Sequence, residues 1–166
     1  MHIPRYFLLM FGNLTMISAT LLAHAAQPGP AVKVIATAEH EAGGVKVELL
    51  EVKRDSPTVV TVRWRYRNET NESKQLTHQR TGWMDPYRLA ADSYLLDETK
   101  QIKFPLSTDT DRRPVASRNG QPNQYISIRP KATIEAWAKY IVPESTGTVS
   151  VSIEGISPFS KIVITK

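Results

Sequence analysis

Three arginines at alternate positions are the side chains whose type and spacing most clearly indicate chemistry in this sequence. The positions between and before them are apolar or aromatic: Val60, Val62, Trp64 and Tyr66. Residues two apart on a strand lie about 7 Å from each other on one face, so Arg63, Arg65 and Arg67 are expected to form a row. The row has two interpretations. It forms ion pairs with acids on neighbouring strands, for example Glu48 or Glu135, or it binds an anionic partner.

Two further places could extend such a binding surface. Arg112 and Arg113 lie in a long connection over 107–124 and would add to the row if that loop folds beside it. Trp83 lies in a turn-rich segment. Its ring is expected to be either an exposed anchor for a partner or a cap on the core.

Patterns for catalysis and metal binding are sparse. The enzyme alternative, action on an envelope polymer, needs a carboxylate or His78 as its acid–base group. Asp109 and Asp111 have the spacing with which calcium loops begin, but no bidentate glutamate follows at a suitable distance. The sequence has no cysteine, which excludes thiol nucleophiles, disulfides and thiolate metal sites. We therefore expect a protein without a catalytic site, a metal or a cofactor.

The N-terminus has the pattern of an export signal. Arg5 precedes an apolar stretch, and Ala23-His24-Ala25 places small residues where signal peptidase reads them. This pattern predicts a signal peptide over 1–25, a linker over 26–31 and one domain over 32–166. An uncleaved membrane anchor is the alternative, although polar residues interrupt the apolar stretch. We expect a periplasmic or secreted protein with no transmembrane span after cleavage.

The charge of the chain narrows the choice of partners. A net charge of +5 is a mild basic excess, which suits an anionic glycan or lipid headgroup but is also a common aid to solubility. The sequence motifs of nucleic-acid-binding modules are absent, and an exported protein does not meet nucleic acid in the cell. The expected partner is an envelope or extracellular protein, or an anionic glycan or lipid headgroup.

Apolar runs of strand length, separated by turn signals, fill the rest of the chain. Thr58 to Arg67 alternates most clearly, and Thr133 to Val142 is bounded by prolines that favour a strand over a helix. Tyr87 to Leu96 is expected to be a strand with room for a turn or helical bend. About seven to nine short strands without a long amphipathic helix predict an all-β fold, an immunoglobulin-like antiparallel two-sheet sandwich with Trp64 in its core.

A resemblance covers roughly the last 75 residues. Its motifs are YLLD at 94–97, IKFPL at 102–106, PVAS at 114–117, WAKY at 137–140, VSVSI at 149–153 and SPF at 157–159. In these motifs the chain resembles a recurring bacterial secreted domain, which is found alone or ahead of cell-wall-binding modules similar to outer membrane protein A. The resemblance implies an immunoglobulin-like sandwich and brings no catalytic residues with it.

Overall fold

A computed structural model of the chain describes residues 33–78, 86–120 and 124–166, and these ranges are built mainly from antiparallel strands. The elements are β1 (Ala36–Glu39), β2 (Val45–Ser56), β3 (Val59–Asn68), β4 (Lys74–Gln75), α1 (Arg88–Ala91), β5 (Tyr94–Asp97), β6 (Ile102–Pro105), β7 (Ser127–Ile128), β8 (Thr133–Ile141), β9 (Thr148–Ser152) and β10 (Phe159–Val163). The predicted signal peptide, the predicted linker and Trp83 lie outside the described residues. The prediction was seven to nine strands, and the described ranges contain ten, two of which have only two residues each.

The strands form two four-stranded sheets, β1-β2-β3-β8 and β10-β9-β5-β6, and β4 pairs with β7 separately. The pairs between these strands are all antiparallel. The all-β class predicted from the sequence is therefore confirmed. Strand β8 spans Thr133–Ile141, so the choice of a strand over a helix is confirmed as well. The strand expected over Tyr87 to Leu96 is formed only at its end, as β5. Helix α1 precedes it and overlaps the expected helical bend at Ala90 and Ala91.

The buried face of the first sheet follows from the alternation of its strands. In β3, Val60, Val62, Trp64 and Tyr66 are at most 1 % exposed, and β8 contributes a matching set opposite them. The second sheet adds apolar residues from β5, β6, β9 and β10 to the same core. Burying this apolar area is the main force that holds such a domain together. Trp64 is fully buried among these residues, as predicted. The opposite surface of the β1-β2-β3-β8 sheet is here called the outer face.

Backbone contacts outside the named strands extend the β1-β2-β3-β8 sheet. The connection after β6 lies along β8, where Ser117 N–H donates to Trp137 O at 2.9 Å and Lys139 N–H donates to Val115 O at 3.0 Å. Near the C-terminus, Thr165 N–H donates to Val52 O at 2.9 Å, in a parallel bridge beside β2. These contacts pair backbone N–H and C=O groups that would otherwise be unpaired at the edges of the sheet.

Within the ranges that the structure describes, α1 has four residues, and no helix there is long and apolar enough to cross a bilayer.

Candidate functional site

The three arginines of the predicted row lie together on the outer face, on the strand at the centre of their sheet. Strand β3 pairs with β2 on one side and with β8 on the other. Because Val60, Val62, Trp64 and Tyr66 point into the core, the intervening side chains of the same strand point outward. Arg63, Arg65 and Arg67 are 51 %, 25 % and 42 % exposed, and they are here called the arginine row.

Each arginine of the row has a carboxylate beside it. Arg63 Nη2 lies 3.3 Å from Glu135 Oε2. Arg65 donates through Nε to Glu48, and Arg67 Nη2 lies 3.0 Å from the other oxygen of that carboxylate. Arg67 Nη2 also lies 3.0 Å from Glu69 Oε1. The structure therefore places Glu48 and Glu135, the two acids suggested from the sequence, in contact with the row.

Glu48 differs from the other two acids of this cluster in its burial. Its side chain is 5 % exposed, whereas those of Glu69 and Glu135 are 41 % and 54 % exposed. A buried carboxylate needs a cation and hydrogen bonds to offset its lost hydration, and Arg65 and Arg67 supply them. Glu69 lies at the rim, where a hydrogen bond from Lys46 lowers its pKa below the usual value.

Trp137 lies next to the arginine row on β8 and is the residue that sequence reasoning missed. It stands opposite Arg63 in the strand register and is 37 % exposed, although its neighbours Ala136 and Ala138 are buried. Ser117 fixes the backbone there, since its Oγ accepts the Trp137 N–H at 3.1 Å. The signal is present in the sequence, since alternation along this strand places Ile134, Ala136, Ala138 and Tyr140 on one face and Trp137 on the other.

Arg112 and Arg113 do not lie on β3 with the row. They lie in a turn of the connection that runs along the far edge of β8, with β8 between this connection and β3. Asp109 shapes the turn, because its Oδ1 accepts the N–H groups of Asp111 and Arg113 at 2.9 and 2.8 Å. This carboxylate oxygen is therefore used within the loop. In the part of the chain that the structure describes, no three His, Asp or Glu side chains are grouped as a metal site.

His78, the acid–base candidate, is 69 % exposed. Its Nε2 lies 2.7 Å from Glu41 Oε1. The adjacent His40 is 3 % exposed, and its Nδ1 accepts the Ala42 N–H at 3.1 Å. Gly155 packs against the same imidazole with φ +80°, and a Cβ at this position would lie 2.3 Å from His40 Nε2. His40 is therefore held as a buried, neutral imidazole.

Mild acid is expected to destabilise the fold through His40. Burial, the largest influence, lowers the pKa of His40 below 6.5, against an opposing effect of Glu41. The folded state therefore binds this proton less tightly than the unfolded chain. The contribution of neutral His40 to stability is fully present above pH 6.5, the pKa in the unfolded chain. It is lost as the pH falls from that value toward the lower pKa of the folded state. The expected loss is at most about 1.4 kcal/mol per pH unit.

Urea unfolding at about pH 7.5, 6.5 and 5.5 measures this loss. His40→Gln should flatten the dependence, and the matched His78→Gln variant should keep it. The pKa values of Asp55, Glu69 and Asp97 are lowered by hydrogen bonds from lysines or from the backbone. Their contributions are therefore lost only at more acidic pH. A His40→Gln variant with the same slope as the parent would contradict the assignment.

A cleft of about 360 Å³ lies between α1, β5, β6 and the connection that follows β6. Its ionisable lining groups include Asp92, which pairs with Arg88 at 2.8 Å, and Lys103, whose Nζ lies 3.8 Å from the centre of the Tyr94 ring. Ser93 also lines it, but its hydroxyl bonds Ala90 O and the Tyr140 hydroxyl. His78 is not part of this lining. Nothing in the described residues shows a catalytic activity.

No protein-family model, no curated protein and no solved structure matches this chain. The described residues define an all-β domain of antiparallel sheets. Its outer face carries a row of three arginines beside an exposed tryptophan. The function is therefore inferred from these side chains.

Proposed function

We propose that this chain is an exported, non-enzymatic domain with an immunoglobulin-like sandwich fold, and that it binds a protein of the bacterial envelope or the extracellular space. Export is supported by the signal-like pattern of the first 25 residues. The fold is supported by the two antiparallel sheets around one core and by the resemblance of the C-terminal motifs. The binding surface is the outer face around Trp137 and Arg63.

The observation that carries this proposal is the exposure of Trp137 beside Arg63. Leaving part of an indole ring in water on an open sheet face gives up hydrophobic stabilisation that burial would provide. Tryptophan and arginine are the residue types that dominate the energy of protein interfaces. Arg63 stands opposite Trp137, and Glu135 and Lys139 lie two positions from it on the same face of β8. This is the arrangement of an interface centre with a polar rim. An anionic glycan or lipid headgroup is the competing ligand, and the pull-down described below distinguishes it from a protein.

Replacing Trp137 with alanine is expected to reduce capture of the partner strongly. Truncation of an interface anchor typically costs about 2 kcal/mol or more, which corresponds to roughly thirtyfold weaker binding. The measurement is a pull-down from envelope extract, using the C-terminally tagged chain expressed with its own N-terminus. Partner bands are then compared between the parent and Trp137→Ala at equal bait concentration.

Ile102→Ala provides the matched control for this pull-down. Ile102 is 45 % exposed on β6, in the other four-stranded sheet, so its truncation removes exposed apolar surface away from the outer face. A thermal melt of each variant checks that the fold is retained. The proposal fails if Trp137→Ala and Ile102→Ala capture the same proteins in the same amounts as the parent. Capture of a glycan or lipid in place of a protein would identify the competing ligand.

A further inference from the structure

The outer face around the arginine row has an imbalance of hydrogen-bonding groups rather than of charge. The row and Lys46 supply four cations, and Glu48, Glu51, Glu69 and Glu135 supply four carboxylates beside them. The charges therefore cancel. A guanidinium group carries five N–H donors and no acceptor. Only a few of the donors in the row are used by these carboxylates.

The contacts of the three arginines show which of their N–H donors are unused. Among residues 33–78, 86–120 and 124–166, Arg65 uses Nε alone, which leaves its two terminal nitrogens without a partner. Arg63 uses only Nη2. Arg67 uses Nη2 for both of its carboxylates, and its Nε is buried without a partner. The row therefore offers unused donors.

The carboxylates also hold the row in place. Glu48 lies almost fully buried between Arg65 and Arg67, so both guanidinium groups are fixed at one end. A fixed guanidinium loses less conformational freedom on binding than a free one, which favours planar recognition of carboxylates. In this arrangement Glu48 is a positioning residue for two donors that remain partly exposed.

Building on the proposed function, we infer that the partner presents an extended acidic segment to the arginine row. The row repeats about every 7 Å along β3, which is the spacing of alternate side chains in an extended peptide. A segment with acidic residues at alternate positions would place successive carboxylates against Arg63, Arg65 and Arg67. An apolar residue two positions from the acid that meets Arg63 would point to the same face as the acids and could reach Trp137, which stands opposite Arg63. The chemistry of the partner is therefore acidic and extended, with one apolar side chain.

The test is an NMR titration of the full chain with a synthetic peptide of about ten residues. This peptide has glutamate at every second position, except that leucine takes one of these positions so that it faces the same way as the glutamates. A second peptide has glutamine in place of each glutamate. Backbone shifts of Arg63, Arg65 and Arg67 and the indole N–H shift of Trp137 are expected with the glutamate peptide only. The apparent affinity of the glutamate peptide is expected to fall as the salt concentration is raised, because the arginine row is partly exposed.

Arg63→Gln is the informative variant, because its ion pair is exposed on both sides and its loss leaves no buried carboxylate. This variant should bind the glutamate peptide about tenfold more weakly, as expected for the loss of a charge-assisted hydrogen bond. Arg113→Gln, in the turn beyond β8, makes the same change of charge and should leave the affinity unchanged. Equal shifts with the glutamine peptide, or no effect of Arg63→Gln, would overturn the inference.

Two outcomes separate this inference from the proposed function. Suppose that Trp137→Ala abolishes capture of the partner while Arg63→Gln and added salt do not. The proposed binding surface around Trp137 is then supported, and the inferred acidic segment of the partner is wrong. If neither variant affects capture, both are wrong. Vesicles with anionic phospholipid provide a further arm of the titration. If the NMR signals of the arginine row shift with these vesicles and not with the glutamate peptide, the row binds a lipid surface and the inferred peptide segment is wrong.

Discussion

Replacing Arg65 and Arg67 together with glutamine is expected to lower the free energy of unfolding by about 3 kcal/mol, near the lower end of the cost of leaving a buried charge unpaired. The reason is Glu48, whose side chain is 5 % exposed and whose carboxylate contacts both arginines. The partial exposure of the two arginines allows water to replace part of what is lost. Urea unfolding at neutral pH measures the change.

Two further variants isolate the role of Glu48 in this result. Adding Glu48→Gln to the double variant removes the buried charge and should restore most of the lost stability. Arg63→Gln alone breaks an exposed pair and should change stability by at most about 1 kcal/mol. A double variant no less stable than Arg63→Gln would show that Glu48 does not depend on its arginines.

Replacing Trp64 with alanine is expected to cost about 3–5 kcal/mol, because it leaves a large cavity in a closely packed core. Trp64 is fully buried at the centre of β3, between β2 and β8. Trp137→Ala is the matched control, since it deletes the same side chain from the outer face of the neighbouring strand. It should cost less than about 1 kcal/mol, because exposed positions rarely contribute more.

Chemical denaturation of both variants, monitored by circular dichroism, gives the comparison. The method does not depend on tryptophan fluorescence, which both substitutions would alter. Equal losses for Trp64→Ala and Trp137→Ala would mean that the two faces of the first sheet are packed alike, against the burial described for them.

The arginine row shows how far a candidate site follows from the sequence. Alternation along β3 predicted that three guanidinium groups would share a face, and the acids named for pairing, Glu48 and Glu135, lie beside them. The burial of Glu48 was not predictable, because it depends on two arginine side chains of the neighbouring strand. Trp137 could have been found from the same alternation, applied to the polar face of β8.

The tertiary structure alone decided which residues that are distant in the sequence become neighbours. The connection over 107–117 has no regular pattern, yet it lies along β8 through Ser117 and Val115. His40, Glu41 and His78 come together although His78 is far from the others in sequence. Arg54 donates to the carbonyl groups of Pro57, Val142, Pro143 and Thr146, an arrangement that no local pattern indicates.

The sequence by itself determined the strand class and the two faces of the clearest strands. A period of two is a local property of the chain, and burial of one face acts on it directly. It did not determine which strands become neighbours, since pairing depends on contacts between distant segments. The order β1-β2-β3-β8 brings Glu48 and Glu135 to either side of the arginine row. The candidate site exists because of that order.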